Sequence, residues 1–187
     1  SQRKEYANAL TELGKTRTDI VVLDADLSSS TRTVEFAKKF PERFFNCGIA
    51  EQNMMGTAAG LAASGKVAFA SSFAVFATGR CWDQIRQSIA YPNLNVKIVA
   101  THAGITVGGD GASHQALEDI GLMRSLPNMT VIVPADGIEA YKAVMAVADH
   151  CGPCYVRLGR ADVPMLTSME SEFTIGKAAV LREGSDV

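Results

Sequence analysis

The hydrophobic period of this chain alternates between about 3.6 residues and short, continuous, β-branched runs, and it does so six times before position 160. Such alternation predicts helices and buried strands in turn. The fold class it implies is α/β, with a mostly parallel sheet and helices on both faces. Tyr6, Ala9, Leu10 and Leu13 share one face of a first helix that Gly14 is expected to close, and Ile20-Val21-Val22-Leu23 follows as a strand. A polar loop from Asp24 to Thr31 leads to a helix over residues 34–40, a brief strand at 44–46 and a helix over 51–64 rich in Ala, Gly and Met. Residues 67–71 read as a strand, 80–90 as a helix and 96–101 as a further strand. A helix at 115–125, a strand at 130–133, a helix at 136–150 and a strand at 155–158 complete the pattern. Residues 1–160 are therefore expected to form one domain. Residues 161–187 read as a Pro-containing linker followed, from Gly176, by the start of a truncated C-terminal domain.

Composition removes several classes of function. Apolar residues make up 47% of the 187 positions and charged residues 20%, close to the average of a folded globular chain, so disorder and coiled coil are excluded. The formal net charge is −2 and no basic cluster could follow a phosphate backbone, so nucleic acid is not an expected partner. The most apolar stretch, 13 residues from Val67 to Gly79, falls short of the ~20 needed to cross a bilayer, so no membrane association is expected. The first fifteen residues are amphipathic and charged rather than signal-like, which makes the cytoplasm the expected compartment. Four cysteines are too sparse for a disulfide framework. Cys151-Gly-Pro-Cys154 has the letters of a redox site, but it closes a helix and precedes a strand. The redox motif instead follows a strand and opens a helix, and two ordinary thiols at a helix stop are expected here. No metal site is expected in this chain, because the pair lacks a second pair of ligands at usual spacing.

Three places carry potential chemistry. The loop from His102 to His114 holds Gly104, Gly108, Gly109 and Gly111, and two of the three histidines bracket it. It follows a strand end, where open α/β sheets bind ligands, and its glycines allow close backbone approach. Glu51 is a lone carboxylate entering an apolar helix. On composition it reads as a first-turn acid that complements the helix dipole. Burial would give it another use, since desolvation raises a carboxyl pKa by up to ~3–5 units and lets it exchange a proton near neutrality. Phe73 and Phe76 follow another strand end and, taken alone, read as core aromatics.

Several segments, in order, resemble the pyrimidine-binding domain of transketolase, most of all the C-terminal chain of a split transketolase. They are Gly48-Ile-Ala-Glu51-Gln-Asn, Phe73-Ala-Val-Phe76, the stretch from Thr101 to Gln115, Arg124-Ser-Leu-Pro-Asn-Met and Pro134-Ala-Asp136. The resemblance runs from about Arg3 to Arg160. Thr78-Gly79 stands where many transketolases carry another aromatic, and His102-Ala-Gly replaces His-Asp-Ser. Both departures lean toward 1-deoxyxylulose-5-phosphate synthase. His102, where that synthase has Arg, and Gln115 with Glu118 after His114 favour transketolase.

The resemblance implies a thiamin diphosphate-binding fold of the pyrimidine type and transfer of a two-carbon ketol unit from a ketose phosphate to an aldose phosphate. It implies that Glu51 bonds the aminopyrimidine nitrogen, that Phe73 and Phe76 stack on the ring, and that Asp26 approaches the cofactor. It further implies that His102 and Asp110 contact the sugar, that His114 moves protons on the transferred unit, and that Arg3, Ser30 and Arg160 hold the sugar phosphate. Gly109-Asp110-Gly111 looks like the start of a metal and diphosphate motif, but Asn128 follows too closely to complete it. The diphosphate with its Mg2+ or Ca2+ is thus expected on a partner chain, in a homodimer or an α2β2 assembly acting on sugar phosphates. Alone, the domain is expected to bind the cofactor poorly. The alternatives are the synthase, a 2-oxo acid dehydrogenase β-chain-like domain, and a structural or regulatory partner that kept the fold.

Overall fold

Three central strands, β1 (Ile20–Asp24), β3 (Val67–Ser71) and β4 (Val96–Ala100), are buried along their whole length, which is why they read as continuous apolar runs. In this computed structural model, which describes residues 1–180 and 182–185, they join β2 (Phe44–Asn46), β5 (Thr130–Ile132) and β6 (Cys154–Arg157) in one sheet. The strand order is β2-β1-β3-β4-β6-β5 and every pairing is parallel. From β1 the chain steps outward to β2 and then returns to place β3 on the other side of β1, so the order reverses between β1 and β3. Crevices at such reversals, beyond the carboxyl ends of the strands, are where ligands bind in open α/β sheets.

Alternation along the strands divides the core in two. Val21, Leu23, Ala68, Ala70 and Ile98 face Met54, Met55, Ala58, Ile85 and Ile89, whereas Ile20, Val22, Phe69, Val99 and Val156 face Tyr6, Leu10, Val144 and Val147. The first layer comes from α4 (Glu51–Ala63) and a helical stretch in which α5 (Trp82–Gln84) lies between wide π-type turns at Val75–Arg80 and Ile85–Ala90. The second comes from α1 (Gln2–Thr16) and α7 (Gly137–Asp149). The short helices α2 (Ser28–Thr31), α3 (Val34–Lys39) and α6 (Asp119–Arg124) shape loops. Among the described residues no helix is long and apolar enough to cross a membrane, and no cluster of His, Cys, Asp or Glu could hold a metal ion.

The structure corrects four local expectations. Gly14 does not end the first helix: it lies within α1, where an added Cβ would fall 2.8 Å from Phe36 Cε2 and closer still to the Phe40 ring. The glycine admits α3 rather than stopping the chain. Helical structure begins at Val75, five residues before the expected start, because wide turns carry it past Gly79. Residues 115–118 are not helical, since the Ala116 carbonyl accepts the Gly104 N–H at 3.0 Å and ties the glycine loop down. The last strand starts at Cys154, one residue early. Cys151 is exposed and Cys154 buried, and all four cysteines are free. The ammonium of Lys97, itself fully buried, closes this corner by donating to the His150 and Gly152 carbonyls at 2.7 and 2.5 Å.

Residues 161–180 and 182–185 form no helix or strand. The β-rich element expected from Gly176 falls partly on Leu181, Asp186 and Val187, which lie outside the described residues. The segment is tied to the domain through Asp136, the N-cap of α7, whose carboxylate accepts the Glu139, Leu166 and Thr167 N–H groups and the Thr167 hydroxyl at 2.7 to 3.0 Å.

Two measurements follow from this packing. Gly14→Ala is expected to cost about 1–3 kcal/mol through overpacking against Phe36 and Phe40, despite alanine's better helix propensity. A lowered urea midpoint at constant slope would show it, and an unchanged midpoint would mean that the rings yield freely. Burial alone would push the Asp136 pKa up, but its hydrogen bonds outweigh burial and hold it at about 2. This folded value lies below the unfolded one, so the stability it contributes, on the order of 2 kcal/mol, is complete above about pH 4 and lost as pH falls toward 2. Asp136→Asn should flatten the acid limb of a stability–pH curve, and an unchanged limb would remove Asp136 as its source.

Candidate functional site

Pairing between β3 and β4 does not stop at the strand ends. Phe73 bridges to Thr101, with Ala74 N–H donating to the Thr101 carbonyl at 2.8 Å and Thr101 N–H to the Ser72 carbonyl at 3.1 Å. The chain then turns at His102, whose φ of 59° is rare for a side-chain-bearing residue. This turn lays the buried imidazole on the Phe73 ring, centroids 3.8 Å apart and planes 21° from parallel. Its Nδ1 shares a 2.8 Å hydrogen bond with Thr101 Oγ1. Phe76 stacks near Phe73 at 6.2 Å and meets the edge of His114 at 5.2 Å and 77°. Ser113 Oγ lies 2.9 Å from His114 Nδ1. The two histidines that bracket the glycine loop are thus brought onto one aromatic wall.

The loop needs its glycines where it passes close to arginines. Gly104 and Gly108 have φ of 76° and 79°, and an added Cβ would lie 3.2 Å from Arg157 Nη2 and 3.4 Å from Arg160 Nη1. Arg160 donates to the Val107 carbonyl at 2.9 Å. Arg3, from α1, donates to the carbonyls of Ser30 at 3.0 Å and Arg160 at 3.3 Å. Arg3, Ser30 and Arg160, distant in sequence, therefore meet at one rim, with Ser30 contributing its main chain to Arg3. Burial and the positive charges of Arg32 and Arg160 lower the pKa of Arg3. The same rim acts on His102: burial first, then Arg3 and Arg160, lower its pKa to about 4 against the opposing charge of Asp110. Asp110 itself is exposed on the loop.

Glu51 is joined to Phe76 through Arg80. Gly48, at φ 68°, turns the chain from β2 into α4, and Glu51 as the first residue of α4 is only 2% exposed. A recess of about 420 Å³ is lined by Ile49, Ala50, Glu51, Gln52, Asn53 and Arg80. Arg80 Nη1 donates to both carboxylate oxygens of Glu51 at 2.9 Å, and its guanidinium carbon stands 4.6 Å from the Phe76 centroid. The surroundings of Glu51 are thus not purely apolar, since one cation covers it. Asp26 is exposed, at φ 63°, and pairs with Asn46. Its carboxylate accepts Asn46 Nδ2 at 2.9 Å, and Asn46 Oδ1 accepts the Asp26 and Gly48 N–H groups at 3.2 and 3.0 Å, so the pair braces the approach to Glu51.

Sequence reasoning missed Arg80, Asn46 and Asp24. Asp24 is fully buried at the end of β1, where its carboxylate accepts the Leu27 N–H and the Thr31 and Thr33 hydroxyls at 2.6 to 2.8 Å. Burial raises its pKa, partly offset by those bonds. It builds α2 and so positions Ser30. Its only trace in sequence is an acid between an apolar strand and a Ser/Thr run.

The family profile described as "Transketolase, pyrimidine binding domain" matches residues 1–165. A relative from Methanocaldococcus jannaschii, "Putative transketolase C-terminal section", is 58% identical over 99% of this chain and 59% of its own length. A "6-deoxy-6-sulfo-D-fructose transketolase subunit" from Clostridium is 43% identical over 99% of this chain and 58% of its own. A solved "Split gene transketolase, inactive beta4 tetramer" superposes with a TM-score of 0.88 at 58% identity, covering 98% of this chain and 59% of that one. The parallel sheet covered by helices on both faces is an α/β domain of the kind found in transketolase structures. The chain belongs to the transketolase family, as its pyrimidine-binding domain, and spans about three fifths of the length of these relatives.

The geometry makes His102 neutral under ordinary conditions. An NMR titration of its ring should give a midpoint near 4 rather than the 6.5 of a free imidazole. Because the folded value lies below the unfolded one, the stability linked to this ring is complete above about pH 6.5 and lost as pH falls through about 4. A midpoint above 6 would mean that the ring is hydrated and not packed on Phe73.

Proposed function

We propose that this chain is the aminopyrimidine-binding half of a transketolase, moving a two-carbon ketol unit between sugar phosphates together with a diphosphate-binding partner chain. The observation that carries the reading is Glu51: a carboxylate 2% exposed, at the lip of a recess, and linked through Arg80 to Phe76 of the aromatic wall. That donor set suits an aminopyrimidine, a flat heteroaromatic ring whose nitrogens want a carboxyl partner and whose faces want stacking. When bound, thiamin diphosphate supplies the nucleophilic carbon and the electron sink of the reaction.

The chain's own residues then have distinct tasks. Glu51 holds or releases a proton at the pyrimidine ring nitrogen, away from water. Phe73 and Phe76 stack on the ring, and Asp26, held by Asn46, approaches the cofactor from the first loop. Neutral His102 offers hydrogen bonds to sugar hydroxyls without competing for a proton, and Asp110 contacts the sugar beside it. His114, whose Nδ1 is engaged by Ser113, transfers protons at the carbonyl and hydroxyl of the transferred unit. Arg3 and Arg160, with Ser30, hold the sugar's phosphate, a task suited to forked, permanently charged donors. The diphosphate and its Mg2+ or Ca2+ fall to the partner chain in a dimeric or α2β2 assembly. Exposed Ile49, Ile105 and Leu117 surround the site and support covering by another chain.

The test is ketol transfer from xylulose 5-phosphate to ribose 5-phosphate with the candidate partner, thiamin diphosphate and Mg2+ present. Activity should require both chains. Glu51→Gln should lower the rate at least ~100-fold, or about 3 kcal/mol of barrier. A fully active Glu51→Gln protein would sink the assignment of Glu51. Product from glyceraldehyde 3-phosphate and pyruvate, with no ketol transfer, would move the reading to the synthase.

A further inference from the structure

Arg80 was assigned no task above, yet it touches both groups that the proposed cradle depends on. One nitrogen, Nη1, reaches both oxygens of Glu51 at 2.9 Å, while the guanidinium plane rests near Phe76 with its carbon 4.6 Å from the centroid. The two partners differ sharply in exposure: the Arg80 side chain is 47% exposed and that of Glu51 2%. The guanidinium is therefore the cover that separates the carboxylate from solvent. A guanidinium is flat, presents N–H donors in its plane and stacks on aromatic faces, and an aminopyrimidine offers the same three features.

We propose that Arg80 is a gate on the pyrimidine site, occupying the space between Glu51 and Phe76 until the aminopyrimidine ring replaces it. The inference rests on the reading of Glu51 given above. Two features make the exchange feasible. Solvent adjoins the arginine, whose side chain is 47% exposed, so the guanidinium regains its hydration on leaving. The cost of uncovering the buried carboxylate is offset because the ring replaces the guanidinium as its partner. The backbone of Arg80 meanwhile stays anchored, its carbonyl accepting Gln52 Nε2 from the first turn of α4 at 3.1 Å. The side chain thus swings from a fixed point on the last residue of the Val75–Arg80 π turn. While it covers the site it also supplies the counter-charge that a buried carboxylate requires, so Glu51 is partnered both before and after the exchange.

The experiment is direct titration of the full chain with thiamin, which carries the pyrimidine but needs no diphosphate site, followed by calorimetry and by the fluorescence of Trp82, the only tryptophan and two residues from the gate. Wild type should bind weakly and Arg80→Ala about tenfold more tightly, a gain that a merely disrupted structure would not produce. Arg80→Gln, which keeps length and polarity, provides the same comparison if the alanine variant folds poorly. Adding Glu51→Gln should remove binding from either background. Arg80 variants that bind thiamin no better than wild type while Glu51→Gln still abolishes binding would overturn the gate and leave the function standing. Binding that survives Glu51→Gln would instead overturn the reading on which the gate rests. Thiamin binding to no variant would also overturn the gate, since its removal would then open nothing, and the two-chain assay would judge the function separately.

Discussion

The continuation of β3–β4 pairing past the strand ends, from Phe73 to Thr101, is the constraint on which the site depends. Two main-chain hydrogen bonds there fix where each loop begins, and the positive φ at His102 then leaves its imidazole only the face of Phe73 to lie against. Every other element of the wall follows from that contact. Phe76, three residues further along a wide helical turn, projects beside Phe73. His114 returns to its edge because Gly104 bonds to Ala116 and closes the loop. Without those bonds the two loops would be independent segments, and the aromatic and imidazole rings would have no common frame.

The charges at the opposite rim act on the histidine that the wall holds. Burial first, and then the charges of Arg3 and Arg160, keep His102 from taking a proton, and both arginines keep part of their donor capacity on main-chain carbonyls. Arg3 itself is disfavoured as a cation, first by burial and then by the neighbouring charges of Arg32 and Arg160. Asp24 contributes from below, since its buried carboxylate gathers the hydroxyls and N–H groups that build α2 and set the position of the Ser30 carbonyl.

What the sequence made legible was whatever repeats along the chain. The six strands, the main helices and the parallel order follow from periodicity, and Glu51 and the histidine pair stand out as polar exceptions in apolar or glycine-rich settings. What it hid were relations across the fold. Arg80 looks like the charged end of an apolar run, and only a contact 29 residues away makes it the partner of Glu51. Gly14 looks like a helix stop because glycine often is one, but the rings that press on it come from a different helix. The wide turn at Val75–Arg80 is hidden in an apolar run that reads as strand and loop up to Gly79, and residues 115–118 lose their helix to a hydrogen bond with Gly104. Arg3 and Arg160 were tied to one task only by family resemblance, for nothing local in either sequence neighbourhood joins positions 157 residues apart.

The sheet's two borders are unequal to its centre. β2 and β5, the outermost strands, are three residues long, against five for β1, β3 and β4. So short a border exposes few unpaired backbone groups, and a neighbouring molecule finds little to extend by strand addition. A chain that presents Ile49, Ile105 and Leu117 to solvent thus combines exposed apolar side chains with short sheet edges, the feature that limits strand-to-strand aggregation.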